Sequence, residues 1–301
     1  MAAATLLEPA PRDLAPGGEV YLKREDVHEL GAFKWRGAGP VIERYRHEGA
    51  NSVVTASTGN HGAATAWAAA RAGMTATVYA PEDASLTKLA QLERLGADVR
   101  QTGADLDEAK DHAKAYAEDT GLPFFEDGAE PAQLEGYAAI GDEILDQLGT
   151  PPAAVIVPVG NGALLAGIGR ALGARSPDTR RVGVVAEEAP VMALSWDAGR
   201  TVACNRCATF ADGLAVRVAI PVAVEWLLEA ADAMLQVSER EIARAVAAYD
   251  AAGIRAEGAA AAALAALTQV DVSGPTVLIV TGRNIENGLL ERCRAVRGQS
   301  Q

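Results

Sequence analysis

The 301-residue sequence predicts an α/β protein in which helices cover parallel strands. Short runs rich in β-branched residues alternate with alanine-rich helical stretches, and this alternation is typical of repeated βα units. A chain of this length buries roughly 75% of the surface that its unfolded form exposes, so no disulfide or metal is needed for stability. The length favours two domains over one large α/β domain.

Six segments have the features of buried strands in a parallel sheet. Each is short and apolar, and each is bounded by glycine, proline or polar residues. The predicted strands are Ser52–Ala56, Thr75–Ala80, Asp98–Thr102, Ala154–Val159, Val182–Ala186 and Pro275–Val280.

Helical periodicity fills most of the intervals between these strands. The predicted helices are Gly62–Ala72, Ser85–Leu95, Leu106–Glu118, Pro131–Leu148, Leu164–Leu172, Glu239–Ala251, Glu257–Leu267 and Asn284–Ala295. Residues 1–20 are rich in proline and glycine, and we expect them to wrap the surface.

A change of composition near Asp127–Pro131 predicts a domain boundary, because an acidic segment gives way there to an apolar half. We therefore expect residues 51–130 to form a small domain. Residues 1–50 and 131–301 are expected to form a large one.

The charge balance disfavours several kinds of partner. The chain has 27 Lys and Arg residues against 40 Asp and Glu residues, for a formal net charge of −13. Binding to nucleic acid or to an anionic membrane requires cations that neutralise phosphates, so both partners are disfavoured. No apolar run reaches the ~18 residues of a membrane span. The composition favours a small-molecule substrate.

The cysteine content indicates a reducing compartment. Three cysteines (Cys204, Cys207 and Cys293) are an odd number and too few for a disulfide framework. The N-terminus lacks the basic start and apolar core of a secretory signal, so we expect a cytoplasmic protein. Cys204 and Cys207 have the spacing of half a zinc site, but no nearby histidine or third cysteine completes one. We expect no bound metal.

Lys34 is the first candidate for chemistry, because it lies directly between the aromatic residues Phe33 and Trp35. Desolvation makes a lysine lose its charge more readily, and the neutral amine is the nucleophile that forms Schiff bases. The alternative is a surface lysine whose aliphatic stem covers the aromatic rings.

Three turns at the ends of predicted strands are candidates for ligand binding. Residues 57–62 and 160–164 each lie between a strand and a helix, where backbone N–H groups can bind an anion. The glycine spacing after Gly160 does not match the dinucleotide-binding motif, which disfavours a nucleotide. Thr281 follows the last strand, so its hydroxyl is expected at the same edge of a parallel sheet. Ordinary helix capping and tight βα turns are the alternatives.

Taken in order, these motifs resemble the fold-type II pyridoxal-phosphate enzymes, most closely the serine/threonine dehydratases and serine racemase. The resemblance runs from about Tyr21 to about Ile285. The matching motifs are Lys23-Arg24-Glu25-Asp26, Ala32-Phe33-Lys34-Trp35-Arg36-Gly37-Ala38, Ser57-Thr58-Gly59-Asn60-His61-Gly62, Pro158-Val159-Gly160-Asn161-Gly162-Ala163-Leu164 and Thr281-Gly282-Arg283-Asn284. The resemblance implies a two-domain fold like the tryptophan synthase β subunit, each domain an open, mostly parallel sheet flanked by helices. It also implies a homodimer and pyridoxal 5'-phosphate as cofactor.

The resemblance also implies a role for each site residue. Lys34 would form a covalent imine bond with the cofactor, next to Phe33. Asn60 would contact the oxygen on the cofactor ring, and Thr281 would face the pyridine nitrogen. The phosphate would be held by the backbone of Gly160, Asn161, Gly162, Ala163 and Leu164. The substrate would be bound by Ser57, Thr58, Gly59, Asn60, His61 and Glu135.

The implied reaction is β-elimination from a small β-hydroxy L-amino acid. The Lys34 amine would take the α-proton, and loss of the β-hydroxyl would lead to a 2-oxo acid and ammonia. A β-replacement enzyme is one alternative. A racemase is another, since Thr58 stands where serine racemase has its second base. A third is a cofactor-holding protein with little catalysis, because Trp35, Glu135 and Arg283 depart from the family pattern.

Overall fold

The computed structural model describes residues 4–16, 18–271 and 273–298. The strands are β1 Leu7–Pro9, β2 Val20–Arg24, β3 Ser52–Ala56, β4 Thr75–Ala80, β5 Ala97–Gln101, β6 Ala154–Pro158, β7 Arg180–Ala186, β8 Ala233–Val237 and β9 Thr276–Val280. The α-helices are α1 Trp35–His47, α2 Asn60–Arg71, α3 Leu86–Arg94, α4 Leu106–Thr120, α5 Pro131–Leu148, α6 Ala163–Arg175, α7 Val191–Asp197, α8 Pro221–Ala230, α9 Glu239–Ala251, α10 Gly258–Ala265 and α11 Asn287–Gly298. No helix of the described part of the chain is long and apolar enough to cross a membrane.

The described residues form two compact units. The smaller unit is Lys34–Gly136, and the larger unit takes the remaining residues on either side of it. The predicted large domain included residues 34–50. In the structure α1 packs against α2, with the Trp35 and Trp67 ring centroids 6.3 Å apart, so this stretch groups with the smaller unit.

The smaller unit is built on a three-stranded parallel sheet of order β3-β4-β5. Its strands bury β-branched and small side chains, and α4 covers one face through Ala109, Ala113 and Ala117. The chain returns to β3 at residues 123–125, where the Phe125 N–H donates to the Val54 carbonyl oxygen at 2.8 Å. The segment that follows Phe125 is thereby held beside β3.

The larger unit contains a six-stranded sheet of order β1-β2-β9-β6-β7-β8. All neighbouring strands are parallel except β1 and β2, which pair antiparallel. Helices α9 and α10 pack on this sheet, and alanines 259–263 of α10 are almost completely buried there. Residues 160–164 follow β6, and Thr281 follows β9.

The structure confirms the predicted α/β class, with mostly parallel sheets flanked by helices. Every predicted strand and helix is present, with ends that differ by three residues at most. Within the first twenty residues, Leu7–Pro9 forms an edge strand, since its backbone pairs with β2. Three strands (β1, β2 and β8) and three helices (α1, α7 and α8) were not predicted.

Candidate active site

In the smaller unit, Lys34 immediately precedes α1 and contacts a carboxylate. Its Nζ donates to Oδ2 of Asp127 at 2.6 Å, and its side chain is 17% exposed. The sequence left open whether Lys34 is surrounded by apolar groups or lies at the surface. In the structure an ion pair holds the amine, so its charge has a direct partner.

Asp127 is positioned by residues of its own unit. Its Oδ1 accepts a hydrogen bond from Gln133 Nε2 at 3.0 Å, and Oε1 of Gln133 accepts one from the Gly128 N–H at 2.9 Å. His61 Nδ1 lies 3.6 Å from the same Oδ1. Burial raises the pKa of Asp127, but the charge of Lys34 and the interactions with His61 and Gln133 outweigh it, so the pKa lies well below its usual range.

Sequence reasoning missed Asp127. It lies next to Glu126, which pairs with Lys110 and Lys114, and the local sequence does not distinguish the two carboxylates. Only the pairing of residues 123–125 with β3 brings Asp127 to the end of that strand, where the turn 57–62 begins.

His61 is buried with its ring fixed on several sides. Its Nε2 lies 3.0 Å from Thr55 Oγ1 and 3.3 Å from the Phe125 carbonyl oxygen. The ring also meets the edge of the Phe125 ring, with centroids 4.5 Å apart. The His61 ring therefore faces Asp127, Thr55 and Phe125. The predicted contact of His61 with the substrate remains a prediction, and it would be made by the His61 backbone.

The buried His61 predicts a pH dependence of stability. Burial lowers the pKa of His61, and although Asp127 raises it, Lys34 and Lys110 lower it further. Because the unfolded value is near 6.5, the unfolded chain binds the proton first, so stability falls as the pH drops below about 6.5 towards the folded-state value. When the pH is lowered from about 7 to about 5.5, we expect the free energy of unfolding to decrease less for His61→Asn than for the wild type.

Urea unfolding at several pH values measures this effect. His47→Asn is the matched control, because the His47 side chain is 73% exposed. The control should keep the wild-type slope. Equal slopes for His61→Asn and the wild type would contradict the prediction.

The turn 57–62 presents the start of α2. Gly59 is the N-cap residue and has no side chain that could cap the helix, which leaves early N–H groups suited to an anion. A Cβ at Gly62 would lie 2.5 Å from the Ser57 carbonyl oxygen, so the turn closes tightly only with glycine there. Thr58, Gly59 and Asn60 line one pocket, together with Ala63, Lys88, Gln91 and Leu92.

In the larger unit, the loop 160–164 has the backbone of an anion cradle. Gly162 has φ +95° and caps α6, whereas no described non-glycine residue has a positive φ. Asn161 and Ala163 therefore need no positive φ in this loop, so neither residue is strained there. Oδ1 of Asn161 accepts from the Ala163 N–H at 3.1 Å, and a Cβ at Gly160 would lie 2.4 Å from the Gly213 carbonyl oxygen.

Thr281 carries a buried hydroxyl that is paired with none of the described residues. The residue is 2% exposed, and its Oγ1 makes no hydrogen bond to any described residue. Its carbonyl oxygen accepts from the Phe33 N–H at 3.0 Å, which fixes Phe33 beside it. Since an unsatisfied buried hydroxyl costs about 1–3 kcal/mol, a ligand atom that pairs with it is favoured.

Glu135 and Arg283 are two of the residues that depart from the family pattern. Glu135 is exposed, and its role as a substrate contact remains a prediction. Arg283 is half-buried, and its Nη2 donates to the His28 carbonyl oxygen at 3.4 Å.

The chain is similar to known proteins in both sequence and structure. The sequence profile of the family described as pyridoxal-phosphate dependent enzyme matches residues 2–282. An L-threonine ammonia-lyase from Thermotoga maritima is 36% identical over 280 residues, 92% of this chain and 70% of that protein. The processed form of threonine deaminase isoform 2 from Solanum lycopersicum superimposes with a TM-score of 0.92 at 30% identity, covering 99% of this chain and 89% of that one. Maize serine racemase superimposes with a TM-score of 0.89 at 25% identity, covering 99% and 93%.

Each unit fits the cofactor that this family uses. The smaller unit supplies an amine at Lys34. The larger unit supplies a glycine-lined anion cradle and the orphaned hydroxyl of Thr281, which suit a phosphate and a ring nitrogen. The resemblance drawn from the motifs is confirmed: the chain belongs to the pyridoxal-phosphate-dependent enzymes of fold type II.

Proposed function

We propose that this enzyme is an ammonia-lyase that dehydrates a small β-hydroxy L-amino acid of the threonine or serine type. The observation that carries the proposal is the 36% identity to an L-threonine ammonia-lyase over 92% of the chain. The products are a 2-oxo acid and ammonia. Water is lost in the elimination and regained in hydrolysis, so the overall reaction leaves the atoms of the substrate in these two products.

We assign the chemistry to residues in each unit. Bound pyridoxal phosphate supplies the electron sink that makes the α-proton acidic. Lys34 would hold the cofactor covalently, and its released amine would remove the proton from Cα. The backbone N–H groups at the start of α2 bind the α-carboxylate, because a helix N-terminus favours an anion.

We assign the remaining cofactor contacts to the larger unit. The backbone of 160–164 would bind the phosphate, and the Thr281 hydroxyl would face the ring nitrogen. A hydroxyl partner, unlike a carboxylate, would leave that nitrogen largely unprotonated. The orphaned state of the Thr281 hydroxyl supports this assignment.

The proposal is tested by assaying the purified holoenzyme with L-threonine, L-serine and their D-enantiomers. We expect stoichiometric release of 2-oxo acid and ammonia from at least one L-substrate. Formation of the D-enantiomer without oxo acid would replace dehydration by racemisation, a reaction for which Thr58 would be the second base. Bound cofactor without turnover of any of these substrates would refute the dehydratase assignment.

We also infer that the enzyme acts as a cytoplasmic homodimer. The free thiols of Cys204, Cys207 and Cys293 support a reducing compartment. The family resemblance supports the dimer. Sedimentation equilibrium of the holoenzyme tests it, and a monomer at micromolar concentration would contradict it.

A further inference from the structure

The carboxylate of Asp127 contacts the amine to which we assign the chemistry. Its Oδ2 lies 2.6 Å from Lys34 Nζ, which is the distance of a charge-assisted hydrogen bond. Its Oδ1 faces two other groups, Gln133 Nε2 at 3.0 Å and His61 Nδ1 at 3.6 Å. The same carboxylate thus touches Lys34 on one oxygen and its supports on the other.

The supports fix Asp127 independently of Lys34. Gln133 is fully buried, and it binds both the Asp127 carboxylate and the backbone N–H of Gly128. His61 is 7% exposed and is held by Thr55 and Phe125. A carboxylate supported in this way has a defined position towards which a flexible side chain can be drawn.

We propose that Asp127 is a positioning residue that holds the ammonium group of Lys34 whenever this lysine is not bonded to the cofactor. The inference rests on the proposed function, which makes Lys34 the cofactor-binding lysine. Once released, Lys34 needs a defined position from which to act, because its four-carbon stem has many rotamers.

The proposed reaction creates a positive charge on Lys34, and Asp127 lies where it can stabilise this charge. When Lys34 removes the α-proton, the Cα–H bond breaks, an N–H bond forms, and the electron pair stays with the substrate. Nζ then carries a positive charge. A carboxylate at 2.6 Å stabilises this charge directly and keeps Nζ near the reacting carbon.

The test uses the holoenzyme with Asp127→Asn, which keeps the shape of the side chain and removes its charge. We expect kcat to fall roughly 10- to 100-fold, as misplaced catalytic groups typically cause. KM should stay within about twofold, because the interaction serves the transition state rather than ground-state binding. Glu126→Gln is the matched control, since Glu126 is the adjacent carboxylate and pairs instead with Lys110 and Lys114.

A second readout does not depend on turnover. Protein stripped of cofactor is mixed with pyridoxal phosphate, and borohydride trapping with mass spectrometry follows the covalent adduct over time. Because the contact between Lys34 and Asp127 must break before the amine can reach the aldehyde, loss of the carboxylate should accelerate capture at neutral pH several-fold relative to the wild type and Glu126→Gln.

The outcomes separate this inference from the proposed function. Wild-type kcat and capture rate in Asp127→Asn, or equal changes in Glu126→Gln, would overturn the role of Asp127. If Asp127→Asn does not fold, Asp127→Glu decides: the longer side chain shifts the carboxylate, so an unchanged kcat would overturn the inference. A Lys34→Ala protein that still bonds the cofactor would instead refute the proposed function.

Discussion

Lys34→Ala is expected to abolish both the covalent attachment of pyridoxal phosphate and the release of 2-oxo acid. The alanine side chain has no amine to form the bond, and it cannot move the α-proton. Because positioned general bases contribute typically 10²–10⁴-fold, turnover should fall by at least about 10⁴-fold once the covalent step is also lost. Borohydride reduction followed by peptide mass mapping measures the attachment.

The low number of lysines makes this assignment unambiguous. The chain contains five, at positions 23, 34, 88, 110 and 114, so a trapped adduct maps to one of few peptides. Lys110→Ala is the matched control, because Lys110 belongs to the same unit and pairs with Glu126. The control should keep both attachment and turnover. An adduct found on a different lysine would contradict the role of Lys34.

The fold was largely predictable because its strands follow simple apolar patterns. Strand β2 escaped prediction since it carries Lys23, whose ammonium is fully buried and pairs with Glu143 at 2.6 Å. A lysine is normally predicted to be exposed, and the sequence does not reveal the ion pair because Glu143 lies 120 residues away. Helix α1 escaped because glycines and Pro40 weaken its helical signal, although it packs on α2.

The candidate site was predictable only where a motif is continuous in sequence. The turns 57–62 and 160–164 each join a strand to a helix, so their geometry follows from local sequence. The contact between Lys34 and Asp127 spans 93 residues and depends on the pairing of residues 123–125 with β3. No local sequence pattern predicts such pairing between distant residues. The ion pair between Lys34 and Asp127 is therefore evident only in the structure.

Gly160→Ala is expected to weaken the binding of pyridoxal phosphate by roughly 10- to 100-fold. The new Cβ would lie 2.4 Å from the Gly213 carbonyl oxygen, a backbone atom that cannot rotate away. The loop 160–164 must shift, and its N–H groups then no longer point towards the phosphate, which weakens their hydrogen bonds to it. Each charge-assisted hydrogen bond contributes roughly 1.5–3 kcal/mol, and about 1.4 kcal/mol corresponds to a tenfold change in affinity.

Equilibrium binding to cofactor-free protein measures this effect, and two controls make it specific. Gly288→Ala adds the same methyl group in the larger unit at a position with no atom within 4 Å, so its affinity should match the wild type. Pyridoxal without the phosphate should bind Gly160→Ala and the wild type equally, because the shifted loop contacts only the phosphate. Wild-type affinity of Gly160→Ala for pyridoxal phosphate, or an equal loss for pyridoxal, would show that the loop 160–164 is not the phosphate cradle.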